Sequence, residues 1–223
     1  ERHNVSLVLA APNRQVDTST PMGRIFIQFA AIFDEYYSED IAARARDSVR
    51  YRKNKGVTIG MPPFGTVRDE RGYLIPSPEG AWLMTDGHFV DGDYSDTPPE
   101  GALVWRSYYE CARTILKLYA EGNRGLETIA YQLNDEGWPF CDRKHRVRRI
   151  ERDDVRRVVA NWAEYGGLIL DQKAKDRPGY ESPDVEGLVF SERAVFDPDL
   201  LRQVAAVRYA RTKRPLDAYV KFS

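Results

Sequence analysis

The chain has 223 residues, 42% of them hydrophobic, with 33 Lys/Arg against 34 Asp/Glu, so its formal net charge is −1. That is ordinary for one large or two small globular domains, and it excludes a disordered polyelectrolyte or a membrane-spanning chain, since no long apolar run occurs. Two cysteines, Cys111 and Cys141, are too few for a disulfide framework or a four-cysteine zinc site, and a reducing cytoplasmic setting is expected.

Charge is unevenly spread. Glu39 to Lys55 carries six Lys/Arg against three acids, Arg143 to Arg157 carries eight against three, and acids gather from Asp86 to Glu100. Local charge rather than the total therefore governs what the chain attracts.

In chain order, Val5 to Ala10 reads as a buried strand, the remnant of a larger parallel α/β unit, since a parallel strand needs neighbours and long crossovers. A polar loop, Pro12 to Ser19, follows. Thr20 is a plausible N-cap with Pro21 at the first helical position. Ile25, Phe29, Ile32, Phe33, Tyr36, Tyr37 and Ile41 then recur every three or four residues and mark one face of a long helix ending near Lys55. Its first half is apolar and aromatic; its second half carries Arg44, Arg50, Arg52, Lys53 and Lys55. Gly56 to Gly65 is Gly/Pro-rich and predicts an extended arm.

Phe64–Arg68 and Tyr73–Pro76 flank the turn Asp69-Glu70-Arg71-Gly72, a hairpin signal. An acidic loop is expected next, then a helix opening at Thr97 with Val104, Trp105, Tyr108, Ala112, Ile115, Leu116 and Tyr119 inward and Gly122 at its end. A second helix is predicted from Gly125 to Asp135 and a third from Glu151 to Glu164, with Val155, Val158, Val159 and Trp162 as its stripe. Leu168–Leu170 and Leu188–Phe190 read as small strands. Asp197-Pro198 caps a final amphipathic helix, and the tail AYVKFS stops in mid-pattern.

Several motifs resemble the large serine recombinases. They are DTSTPMGR before the long helix, EYYSEDI within it, KNKG at its end, PPFG, then ILKLYAEG, IAYQLNDEGWP and DVRRVVANWAEYGG, in that order from Asp17 to Gly167. The fold class that follows is mixed α/β and mainly helical. The layout the resemblance implies is a catalytic-domain remnant over 1–20, a dimerisation helix over 21–55, a DNA-tracking arm over 56–65, a recombinase DNA-binding domain of three or four helices with small hairpins over 66–211, and the start of a further segment over 212–223. Ala81 to Glu100 reads as an insertion relative to that pattern.

The family works through a serine hydroxyl that forms a 5′-phosphoserine link to DNA, with no nucleotide cofactor or metal. Its Tyr-x-Arg-x-Ser context is not found in this sequence, and Ser48 after Arg46-Asp47 reads as a solvated helix serine, so no catalytic residue is assigned and the chain alone is not expected to cleave DNA. The implied partners are a double-stranded attachment site, a second copy in a homodimer, and a tetramer in the parent's synaptic complex. Candidate DNA contacts are Arg44, Arg50, Arg52, Lys53, Lys55, Arg143, Lys144, His145, Arg146, Arg148, Arg149, Arg152 and Arg156. Candidate interface residues are Ile25, Phe29, Ile32, Phe33, Tyr36 and Tyr37. The rival reading is a DNA-binding regulator without strand-exchange chemistry. Cys141 and His145 lack a second ligand pair for zinc, and Asp91, Asp93 and Asp96 lack the glycine and glutamate of a calcium loop.

Overall fold

The structure is a computed structural model that describes residues 8–11, 14–17, 20–54, 60–94, 98–142, 144–170, 184–212 and 219–221. These residues form a mixed α/β protein with six helices and small antiparallel sheets. The chain divides into two compact units, Glu1–Tyr51 and Arg52–Ser223. No described helix is long and apolar enough to cross a membrane.

In the first unit, β1 (Val8–Ala11) pairs antiparallel with β2 (Arg14–Asp17), Ala11 opposite Arg14. Part of the expected polar loop is thus a strand, and among the described residues β1 pairs with β2 alone. Val5 to Leu7 lie outside the described residues.

Helix α1 (Pro21–Asn54) follows, 34 residues and roughly 50 Å long at ~1.5 Å per residue. Its start is set by Thr20, whose Oγ1 accepts from the Gly23 N–H at 3.0 Å and whose carbonyl accepts from Arg24 at 3.1 Å.

The second unit opens on the end of the Gly/Pro segment. Tyr165 donates its hydroxyl to the Phe64 carbonyl at 2.7 Å, and the Phe64 ring stacks on Phe140 at 4.1 Å. Gly65 has φ +81, and a Cβ there would lie 2.7 Å from the Tyr108 carbonyl oxygen, so only glycine fits. The expected hairpin is present as β3 (Thr66–Arg68) and β4 (Leu74–Pro76), its turn closed by Asp69 Oδ1 accepting from the Arg71 and Tyr73 amides.

The expected acidic loop is a sheet instead. Strands β5 (Glu79–Met84), β6 (Phe89–Asp93) and β7 (Ala102–Ser107) pair antiparallel in the order β6-β5-β7. Val104 and Trp105, read as helical, belong to β7, and Thr97 lies outside the described residues. The helix α2 (Tyr108–Ala120) starts later, where Ser107 Oγ accepts from the Tyr109 and Glu110 amides. The alternation Leu103, Trp105, Ser107 against Val104, Arg106 is a strand period that the S/T-x-x-E signal at Thr97 obscured.

Around α2 pack α3 (Leu126–Asp135), α4 (Arg152–Ala160), a one-turn α5 (Trp162–Tyr165) and α6 (Pro198–Thr212), with Ile115, Leu116, Ile129, Leu133, Val155, Val158, Trp162, Leu201 and Val204 at 2% exposure or less. The expected third helix breaks at Asn161, which turns Trp162 and Tyr165 into the core. A hairpin of β8 (Phe140–Cys141) and β9 (Val147–Arg148) joins α3 to α4. Strand β10 (Leu168–Leu170) pairs with β11 (Tyr219–Lys221), so the tail supplies its partner. Leu188–Phe190, expected as a strand, forms no ladder; Leu188 and Phe190 are buried in the helical core and Val189 points to solvent.

One polar group lies at the centre of this unit. Asp154 has no exposed surface, yet its carboxylate accepts two bonds from the Arg148 guanidinium, at 2.7 and 3.0 Å, and one from the Glu151 amide at 2.9 Å, and Arg157 lies 3.5 Å away. The Glu151 side chain accepts reciprocally from the amide three residues on, completing a capping box at the start of α4. Arg148→Ala leaves the buried carboxylate with the Glu151 amide and the more distant Arg157 as its partners, and a loss of about 3 kcal/mol in urea unfolding is expected, whereas the exposed Lys144→Ala should stay within about 0.5 kcal/mol. Equal effects of the two would refute this role for Arg148.

Candidate nucleic-acid interface

The described part of the basic run, from Lys144 on, forms the turn and second strand of the β8–β9 hairpin, and its tip is organised by one acid. Asp142 Oδ1 accepts from the Lys144 amide at 2.7 Å and the Arg146 amide at 3.1 Å, and Oδ2 from Arg146 Nε at 2.9 Å. The Asp142 carbonyl accepts from the His145 amide at 3.0 Å, and His145 takes a left-handed φ of 56° to close the turn. Hydrogen bonds from the Arg146 side chain and backbone hold the Asp142 carboxyl down to about 2. The turn thereby presents Lys144, His145 and Arg146 to solvent.

The base of the hairpin is held differently. Arg148 is spent on Asp154 and lies over the Phe140 ring at 5.5 Å, so its guanidinium serves the core rather than the surface. Arg149, Arg152 and Arg156 are exposed; Arg156 has Asp153 at 3.3 Å, a solvent-side pair of small energetic weight. Arg143 lies outside the described residues. The structure thus brings Lys144, His145, Arg146, Arg149, Arg152 and Arg156 onto one hairpin and the start of the helix that follows it.

Beside the hairpin is a cavity of about 420 Å³, lined among others by Pro63, Phe64, Cys141, His145, Arg157, Asn161 and Glu164. Burial pushes the Glu164 carboxyl up, opposed by Arg68, and burial followed by Asp91 pushes the Cys141 thiol up. The Tyr108 phenol is also raised by burial and donates to Asp91 Oδ1 at 2.6 Å. A protonated thiol and an un-ionised phenol are weak nucleophiles. Arg157 and Glu164 were not singled out from sequence; the only signal was Arg157's place at the end of the same basic run.

In the first unit, Arg44 pairs with Asp40 at 2.9 Å across one helical turn. Arg50, Arg52 and Lys53 belong to α1, and Lys55 lies outside the described residues. The six predicted interface residues all stand exposed on α1, from Ile25 at 47% to Phe33 and Tyr36 at 68%.

The family described as Resolvase, N terminal domain, matches residues 1–58, the segment holding β1, β2 and α1. The match supports the serine recombinase family. No curated protein and no solved structure matches the chain.

The hairpin tip gives a pH test. A depressed carboxylate contributes its stabilisation in full above the unfolded pKa of about 3.9 and loses it as pH falls through the folded value. The Asp142 carboxyl carbon should therefore titrate by NMR near 2, with the slow exchange of the Lys144 and Arg146 amides retained at pH 5. A midpoint near 4 would show that the turn is not held this way.

Proposed function

We propose that this chain is the DNA-binding portion of a site-specific serine recombinase, gripping duplex DNA through the β8–β9 hairpin, the start of α4 and the basic half of α1. What carries the reading is the exposed cation strip on the second unit: Lys144, Arg146, Arg149 and Arg152 reach solvent, while the nearest buried acid, Asp154, is consumed by Arg148. Such a strip suits a line of phosphates, whose neutralisation releases counterions and makes affinity fall with salt. The resolvase match to residues 1–58 supplies the recombinase context. In this reading a serine outside the present sequence performs the phosphodiester exchange, and the chain's own residues position the DNA.

The partner of α1 in this reading is a second copy. Met22, Ile25, Phe29, Ile32 and Tyr36 follow a 3-4-3-4 spacing, the period of a helix-pairing seam, and Phe26, Phe33 and Tyr37 flank it, all exposed.

Two measurements test these parts separately. Anisotropy titrations of a 30-base-pair duplex between 50 and 200 mM NaCl should give a steep logarithmic slope, and the triple variant Lys144→Ala/Arg149→Ala/Arg152→Ala should reduce it by about 0.9 per lost contact. Failure of the wild type to bind at 50 mM NaCl sinks the DNA reading. In sedimentation velocity the wild type should run as a dimer and Phe29→Glu/Phe33→Glu as a monomer; a monomeric wild type at 50 µM removes the seam.

A further inference from the structure

The cavity beside the β8–β9 hairpin is lined by polar groups that the fold leaves unused. Its volume of about 420 Å³ falls in the range of small-ligand pockets. Part of the lining is apolar: the Phe64 and Phe140 rings are stacked at 4.1 Å, Tyr108 lies 5.7 Å from Phe64, and Pro62 and Pro63 join them. Another part is one side of the stretch α4–α5, where Arg157, Asn161 and Glu164 recur at i, i+4 and i+7 and so share a face.

Glu164 is poorly served by its surroundings. Its carboxyl is half-buried and raised by that burial, Arg68 opposes the shift through space, and no hydrogen bond or ion pair among the described residues reaches it. The half-buried Asn161 side chain likewise has no hydrogen-bond partner among the described residues. Desolvating a carboxylate and an amide without compensating bonds costs stability. Such local conflicts, gathered in a cavity, are where a ligand is expected.

The same lining restricts the occupant's charge. The Arg157 guanidinium is half exposed and has Asp154 at 3.5 Å, so N–H groups remain open on it, and it shares its face with the Glu164 carboxylate. A cationic ligand is opposed by Arg157 and an anionic one by Glu164. A neutral planar ring with donors along one edge and an acceptor beside them satisfies both.

Among the DNA bases guanine has that edge. Its N1–H and N2–H groups suit one carboxylate, its O6 accepts from an amide or guanidinium, and its ring faces suit apolar walls. Cations for the attached phosphate stand at the rim: His145 lines the cavity and belongs to the exposed hairpin tip with Lys144 and Arg146.

We propose that this cavity holds an unstacked guanine base, with Glu164 accepting from N1–H and N2–H and Asn161 donating to O6. This goes beyond the duplex reading, in which the cation strip meets phosphates of paired DNA, and either can fail alone. Two sources carry such a base, a free nucleotide and a guanine left unpaired in DNA.

The test separates them. The full chain is titrated by calorimetry with dGMP, dIMP, dAMP and dTMP, and by anisotropy with duplexes carrying one bulged guanine, one bulged thymine or no bulge. dGMP should bind, dIMP, which lacks the N2 amine, about tenfold more weakly, and dAMP and dTMP not detectably. Preference for the bulged guanine over both other duplexes assigns the base to DNA; dGMP binding without that preference assigns it to a free nucleotide. Glu164→Gln should weaken the guanine ligand at least tenfold while the melting temperature holds or rises, since a desolvated charge is removed. Asn161→Ala should weaken it about fivefold, and paired-duplex affinity should be unchanged in both. Absence of both dGMP binding and bulged-guanine preference overturns the proposal. Equal binding of all four nucleotides does so too, by placing the contact on phosphate, as does wild-type guanine affinity in Glu164→Gln. A lowered melting temperature in Glu164→Gln would overturn it by showing that the carboxylate serves the fold.

Discussion

A fully buried carboxylate fixes the second unit. Taking Asp154 out of water carries a desolvation cost of several kcal/mol, and that cost is offset only because donors converge on it from three places: the guanidinium of Arg148 on β9, the backbone of Glu151 at the helix cap, and Arg157 one turn along α4. Strand, cap and helix cannot move independently while those bonds are kept. The segment between is clamped again from α3, where Asn134 donates to the Ile150 carbonyl at 2.9 Å and accepts from the Ile150 amide at 2.8 Å. The base of the basic hairpin is therefore among the most constrained pieces of backbone in the unit, and the exposed cations at its tip inherit a fixed direction.

That arrangement divides one run of charge into two classes. Counted along the chain, Arg146, Arg148 and Arg149 are equivalent. In space, Arg148 is an internal counterion, Arg146 is braced across its own turn by Asp142, and Arg149 faces water. For a surface that meets phosphate the distinction is useful, because a brace limits how much rotamer entropy a cation loses on binding, while an internal counterion contributes by keeping the scaffold rigid.

The sequence was legible wherever a local rule governs. Thr20-Pro21 fixed the start of α1, the period of three and four gave α1, α3 and α6, and Asp69 to Gly72 gave the first hairpin. It was illegible where a local rule and tertiary context competed. The pattern Thr97-Pro98-Pro99-Glu100 has a helix-cap spelling, but Ala102 and Val104 to Ser107 pair with β5 and the helix waits for Ser107. Leu188–Phe190 alternates as a strand does, yet among the described residues it pairs with no strand, and its buried residues fill the helical core instead. Within the candidate interface, the density of cations could be read directly. Their partners could not, because Asp154 is six residues from Arg148 and only the turn into α4 brings them together.

Helix α1 poses the opposite physical problem to Asp154. Its apolar residues from Met22 to Ile41 stand largely in water within the single chain, so tertiary packing, the usual source of helical stability, is absent from that face. A seam of large side chains in that state gains free energy from any like helix that covers it, at about 25 cal/mol per Å² removed from water. In the proposed dimer this gain is coupled to the rest of the same helix, since backbone order propagates along a continuous hydrogen-bond ladder far more cheaply than it nucleates. Pairing the apolar half therefore orders the half that bears Arg44 and Arg46, and the readiness of those cations for phosphate becomes a function of protein concentration. Oligomerisation and DNA affinity are then linked terms of one equilibrium.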